Sequence, residues 1–338
     1  MGSIRPRWQQ LAYLGEEELA RQDVAVLNLA AAEGLPGGPT PLQERDCVDH
    51  LDHYARTVAD YTNRRLPDFE KCAKDYDYSE AKFRVVLMVS MLQKTHGVRY
   101  NPAKIAADTI HTAADSFVHG PLVGAGGTCA SLPVVYAAVA RRLGYPLRLV
   151  GCKQHVFCRW ESLLDRFNVE VNERGTDSPP DGFYRQGLYQ FEPEREQFHR
   201  FLVTRTVSEE FADFVTQRGY LWIDENDFRQ ALEAFAWACK LAPLNKSYEW
   251  CLVQYLEKWG ERLGALLPPN FPTLSIEHPR VRRHPWLPDL VERRIIICET
   301  VERVLNAPHH GAWWEELRRS PNARPRSVPS EIQLRVMA

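Results

Sequence analysis

Gly126-Gly127-Thr128-Cys129-Ala130-Ser131-Leu132-Pro133 is the stretch that most restricts how this chain can fold. Two glycines free the backbone just ahead of a cysteine. From Leu132 onward the apolar residues recur at helical spacing, with Leu132, Tyr136, Val139, Ala140 and Leu143 on one stripe and Gly144 placed to end the helix. Pro133 fits only in a first helical turn, so the N-cap is expected at Thr128, Cys129 or Ala130. A helix start has unpaired N–H groups and roughly half a positive charge, which favours a thiolate at Cys129. The backbone at Thr128, Cys129 and Ala130 is then placed to receive an oxyanion.

Downstream, residues 147–150, 155–160 and 167–172 alternate like strands. His155 then shares a face with Phe157 and Arg159, while Asn168, Glu170 and Asn172 share a face of the next strand. If residues 161–166 close a hairpin, pairing 155 opposite 172 or 170 brings His155 and Glu170 together, directly or diagonally. A carboxylate there would hold the imidazole in its working tautomer.

Gly-Thr-Cys at a helix start, Arg142-Leu143-Gly144-Tyr145-Pro146-Leu147-Arg148-Leu149-Val150 after it, His155 on one strand and an acidic residue on the next resemble the core of the transglutaminase-like superfamily of papain-type thiol enzymes. The resemblance covers residues 99–190. Arg99-Tyr100-Asn101-Pro102, Phe117-Val118-His119-Gly120 and Phe167-Asn168-Val169-Glu170 are most similar to a bacterial group of undefined activity. The resemblance implies an α+β fold in which a nucleophile helix packs on a small antiparallel sheet, between a helical N-terminal lobe and a helical C-terminal region. It also implies a triad in the order Cys, His, acid, with the acid about 15 residues after the histidine, where Glu170 falls. The family's usual Asp is replaced by Glu170, with Asn168 as the alternative third member, and Val156 stands where an aromatic residue is usual. Glutamate and asparagine both orient histidines in such enzymes.

The reaction implied is hydrolysis of an amide or ester in a peptide or protein substrate through a thioester, as a protease or amidase would do. Transfer to a lysine amine by the same triad, giving a cross-link, is the alternative. A third reading is a non-catalytic scaffold that binds a protein partner through its C-terminal helices. No cofactor is expected. Of the eight cysteines, the seven other than Cys129 (Cys47, Cys72, Cys152, Cys158, Cys239, Cys251 and Cys298) read as core or inert positions. Their spacing suggests neither a disulfide framework nor zinc, and a reducing cytoplasm is the expected compartment. Asp49, His50, Asp52 and His53 read as a solvated helix face rather than a metal site. A net charge of −2 with both signs mixed gives no electrostatic case for nucleic acid or an anionic membrane, and no apolar run reaches spanning length.

Residues 1–98 are expected as the N-terminal lobe, with helices over 16–34 and 42–63 and a third from Ser79 to Gly97; residues 99–190 form the core. Residues 191–319 are expected to be helical. Within 212–245, Gly219, Trp222, Ala231, Phe235, Ala238 and Pro243 reproduce the spacing of a single tetratricopeptide-like repeat. Small residues there let two helices approach, aromatics fill the groove, and proline stops the second helix. A partial copy follows over 248–259, then a breaker at 267–272, a helix over 287–306 and a mobile tail over 320–338.

Overall fold

The computed structural model describes residues 5–104, 111–171 and 176–248, with residues 250–252, 254, 255 and 258 beyond them. The described residues are mostly helical and carry a three-stranded antiparallel sheet, an α+β composition. They divide into two compact units, one reaching Phe214 and the other starting at Val215. Among them no helix is long and apolar enough to cross a membrane.

The first unit opens with α1 (Arg7–Ala12), α2 (Glu16–Leu19), α3 (Val24–Ala32), α4 (Pro41–Arg65), α5 (Phe69–Cys72) and α6 (Glu80–Lys94). The helix expected over 16–34 is interrupted because Asp23 leaves the helical conformation and caps α3, its Oδ1 accepting from the Ala25 N–H at 2.7 Å. α4 starts on a capping box between Thr40 and Gln43, with Pro41 at the first position. Ser79 caps α6 by accepting from Lys82 N–H at 3.1 Å. The polar set on α4 is only partly solvated. Asp49 and His53 are exposed, but Asp52 accepts from Arg142 Nε at 2.7 Å and His50 stacks on Tyr54.

Two short helices, α7 (Ala113–Ser116) and α8 (His119–Val123), lead to α9 (Leu132–Arg142). The stripe expected on α9 understates its burial, because every residue from Leu132 to Ala140 is buried. The cause is position: α3 and α4 pack on one side of this helix and the sheet on another, so it has no solvent face along most of its length. Each fully buried Leu or Val contributes about 1.5–3 kcal/mol of transfer free energy. The helix ends in a Schellman turn. Tyr145 N–H donates to Ala140 O at 2.9 Å, Gly144 N–H donates to Arg141 O at 3.0 Å, and Gly144 takes φ +74°. Arg141 and Arg142 in the last turn pair with Glu210 and with Asp23 and Asp52.

The sheet follows in order β1 (Leu147–Cys152), β2 (His155–Glu161) and β3 (Arg166–Val169). Leu147 faces Trp160 and Cys152 faces His155, so β1 and β2 join through Lys153 and Gln154 alone. Arg159 faces Asn168 and Cys158 faces Val169. Cys158 Sγ contacts Pro133 O at 3.2 Å, so its face lies on α9, while the face with Val150, His155, Phe157 and Arg159 is covered by residues 181–202. After α10 (Pro193–His199), the early residues of α11 (Val207–Asp224) complete the unit. Glu210 is fully buried there and accepts from Arg141 and from the Leu149 N–H.

In the second unit the end of α11 and α12 (Phe228–Leu241) form a helical hairpin. A Cβ on Gly219 would lie 2.6 Å from the Phe235 ring, so glycine is what permits this approach. Ala231 and Ala238 are fully buried, and Pro243 follows α12. Described residues between 246 and 258 are helical. Much of the partial copy over 248–259 lies outside the described residues. So do the breaker at 267–272, the helix over 287–306, Cys298 and the tail over 320–338.

Candidate active site

The turn that carries Cys129 is fixed from both sides. On one side, Gly127 forms a parallel bridge with Tyr100: Gly127 N–H donates to Arg99 O at 3.1 Å, and Asn101 N–H donates to Gly127 O at 2.8 Å. Gly126 sits at φ +123° with Arg99 O only 3.0 Å from where a Cβ would stand, so a side chain is disfavoured twice over. On the other side, Thr128 Oγ1 and Ser131 Oγ both donate to the carbonyl of Asp115, at 2.8 and 2.7 Å. Asp115 is itself locked. Burial pushes its carboxyl up, but hydrogen bonds from Thr112 and the Lys104 ammonium at 3.0 Å outweigh this and hold it below its usual range.

The helix starts later than the sequence indicates. Ser131 is the N-cap and α9 begins at Leu132, so Thr128, Cys129 and Ala130 form the preceding turn. Ser131 and Leu132 N–H both donate to Thr128 O, which winds this turn directly onto the helix. The expectation that all three residues present free N–H groups is also corrected. Thr128 N–H donates to Ser131 Oγ at 3.0 Å and Ala130 N–H donates to Thr128 Oγ1 at 3.2 Å, leaving only the Cys129 amide outside these local bonds.

His155 lies at the start of β2, nearly buried at 6% exposure, and is hydrogen-bonded on two sides. Its Nε2 meets Glu170 Oε2 at 2.6 Å, and its side chain also bonds to Cys129. Since Nε2 is engaged by the carboxylate, Nδ1 is the ring nitrogen assigned to the thiol. Burial alone would push the imidazole down, but the bonds to Cys129 and Glu170 prevail and raise it to about 9. Cys129 Sγ also approaches Gln154 O at 3.9 Å. Gln154 takes φ +60° in the tight β1–β2 turn, a left-handed conformation that costs a residue with a side chain about 1 kcal/mol.

Glu170 reaches the ring diagonally. The paired register ends at Cys158 and Val169; carried one step further it would set Glu170 opposite Phe157, two residues from His155 on the same face. Diagonal neighbours are about 7–8 Å apart, a span that the longer glutamate side chain suits better than aspartate. Its carboxylate is anchored as well: Oε1 accepts from Val171 N–H at 3.0 Å, and Oε2 accepts from Tyr184 Oη at 3.2 Å. Tyr184 is fully buried and stacks on Phe157 with ring centroids 4.1 Å apart, and Tyr189 covers His155 at 4.8 Å.

Asn168, the alternative third member, belongs to a different buried network. Its Oδ1 accepts from Arg159 Nε at 2.7 Å, and its Nδ2 donates to Pro179 O and Asp181 Oδ1. Arg159, 1% exposed, also donates to Leu202 O, Thr204 Oγ1 and Asp181 Oδ1. Tyr184, Tyr189 and Asp115 escape a sequence reading of the site because none stands in a periodic position next to Cys129, His155 or Glu170; strand parity puts Arg159 on the face of His155 but does not show its buried network. The one signal for the tyrosines is an aromatic cluster, Phe183, Tyr184 and Tyr189, directly after the Pro179-Pro180-Asp181-Gly182 turn. No protein-family model matches this chain, and no curated protein matches it at a significant level.

Proposed function

We propose that this chain is a thiol hydrolase, built on a transglutaminase-like core, that cleaves an amide or ester bond in a peptide or protein through Cys129, His155 and Glu170. The observation that carries this reading is one nearly buried imidazole held between a thiol and a carboxylate. The Cys129 proton already rests on His155, and the thiolate attacks the substrate carbonyl carbon. A C–S bond forms while the carbonyl π pair moves to oxygen. When the carbonyl re-forms, the amine or alcohol leaves with the proton from His155. Water then attacks the thioester, giving up a proton to the now neutral His155, and the sulfur departs as thiolate; a carboxylic acid and the starting ion pair result. Glu170 keeps the ring oriented and stabilises its charged form throughout. Water is preferred over a lysine amine as the resolving group because it needs no acceptor site.

The other described cysteines supply the contrast for a test. Burial pushes Cys47 and Cys251 up to about 12, and Cys152 and Cys158 also well above the free thiol. At pH 6, iodoacetamide is expected to alkylate Cys129 ahead of every other cysteine, and His155→Ala to slow this by roughly tenfold or more. Equal labelling of several cysteines, or a rate indifferent to His155, would refute the activated nucleophile.

A further inference from the structure

Thr128 and Ala130 spend their N–H groups within the nucleophile turn, so the backbone there offers an oxyanion at most the amide of Cys129. The bridge between Tyr100 and Gly127 runs residues 99–101 alongside the glycines, and this sets the phenol beside Cys129, within reach of its backbone N–H and its thiol. The hydroxyl can accept from the amide beside the attacking sulfur and still give its own proton to a further acceptor. Burial and the neighbouring thiol push the phenol up to about 12, so it keeps that proton at neutral pH. A hydroxyl that accepts one hydrogen bond is polarised to give a stronger one.

We propose that Tyr100 is a catalytic residue whose hydroxyl donates the hydrogen bond that receives the oxyanion when Cys129 attacks a carbonyl. The proposal rests on the thiol-hydrolase reading. As the C–S bond forms and the π pair moves to oxygen, Tyr100 donates to that oxygen without losing its proton. The bond is released when the carbonyl re-forms and the leaving group departs.

Two probes on the full chain separate this role from a structural one. Iodoacetamide reacts by displacement of iodide and forms no oxyanion; p-nitrophenyl acetate reacts at a carbonyl and does. Loss of one oxyanion donor typically costs about 10²–10³ in rate. In Tyr100→Phe the Cys129 amide is freed to donate directly and replaces part of the loss, so the release of p-nitrophenolate should slow by roughly tenfold or more. Alkylation of Cys129 should stay within about twofold of wild type, which also verifies that the turn is folded. An ester reaction that is unchanged or faster, or equal slowing of both probes, overturns the proposal. If wild-type Cys129 is alkylated no faster than the other cysteines, the hydrolase reading itself fails and takes this role with it.

Discussion

Replacing Arg159 with methionine keeps most of the buried stem and removes the guanidinium, which joins the sheet to the segment bearing Tyr184. Four hydrogen bonds are lost: those to Asn168 Oδ1 at 2.7 Å, Leu202 O at 2.9 Å, Thr204 Oγ1 at 3.2 Å and Asp181 Oδ1 at 2.5 Å. Removing one partner of a buried ion pair costs about 3–5 kcal/mol, because the other charge is stranded. Asp181 is 26% exposed and keeps its bond from Asn168 Nδ2, so the lower end, about 3 kcal/mol, is expected. In urea unfolding of the full chain, a slope of about 1–3 kcal/mol per molar converts this into a midpoint lowered by roughly 1–3 M. Arg159→Lys keeps the charge but loses the planar fork, and should recover only part of the loss. A loss below about 1 kcal/mol for Arg159→Met would refute the idea that this network holds the sheet to the residues covering the site.

Tyr184→Phe removes one of the donors to Glu170 and should cost about 1 kcal/mol in urea unfolding while Cys129 remains the preferred alkylation site; loss of that preference would mean the tyrosine does more than anchor the carboxylate. Because the folded state raises His155 from 6.5 to about 9, its pairing stabilises the protein fully below pH 6.5, and that stability is lost as pH rises through 9. The stability margin of wild type over His155→Gln should therefore shrink by about 1.4 kcal/mol per pH unit across this window, and a constant margin would contradict the shift. A chain ending near residue 205 loses Glu210, which the buried Leu149 N–H and Arg141 require, so it should be poorly soluble or unfolded; cooperative folding of that piece with Cys129 labelling intact would show α11 to be dispensable.

The grouping of Cys129, His155 and Glu170 is legible in the sequence because these residues stand on elements with clear periods. Cys129 precedes an apolar helix, His155 opens an alternating strand, and parity places Glu170 and Asn168 on one face. Parity alone does not separate those two carriers. The register does, setting Asn168 directly against Arg159 and Glu170 within diagonal reach of His155. The later helix start is hidden because it depends on Thr128 and Ser131 both bonding to Asp115 O, a contact across more than ten residues that no local pattern contains. Tyr184 is hidden for a similar reason, since it lies in a 3₁₀ turn without apolar periodicity. Gly219 and Phe235 are legible only as a small and an aromatic position of a helical hairpin; that they meet, with a Cβ on Gly219 2.6 Å from the Phe235 ring, is a contact between two helices that spacing does not specify.

The most direct measurement is a titration of the His155 ring by NMR on protein with ¹⁵N-labelled histidine. In wild type both ring nitrogens should carry protons at neutral pH and the ring should titrate near 9, with Cys129→Ala and Glu170→Gln each lowering that value. A wild-type ring that titrates at or below 6.5, or one insensitive to both substitutions, would contradict the placement of His155 between thiol and carboxylate.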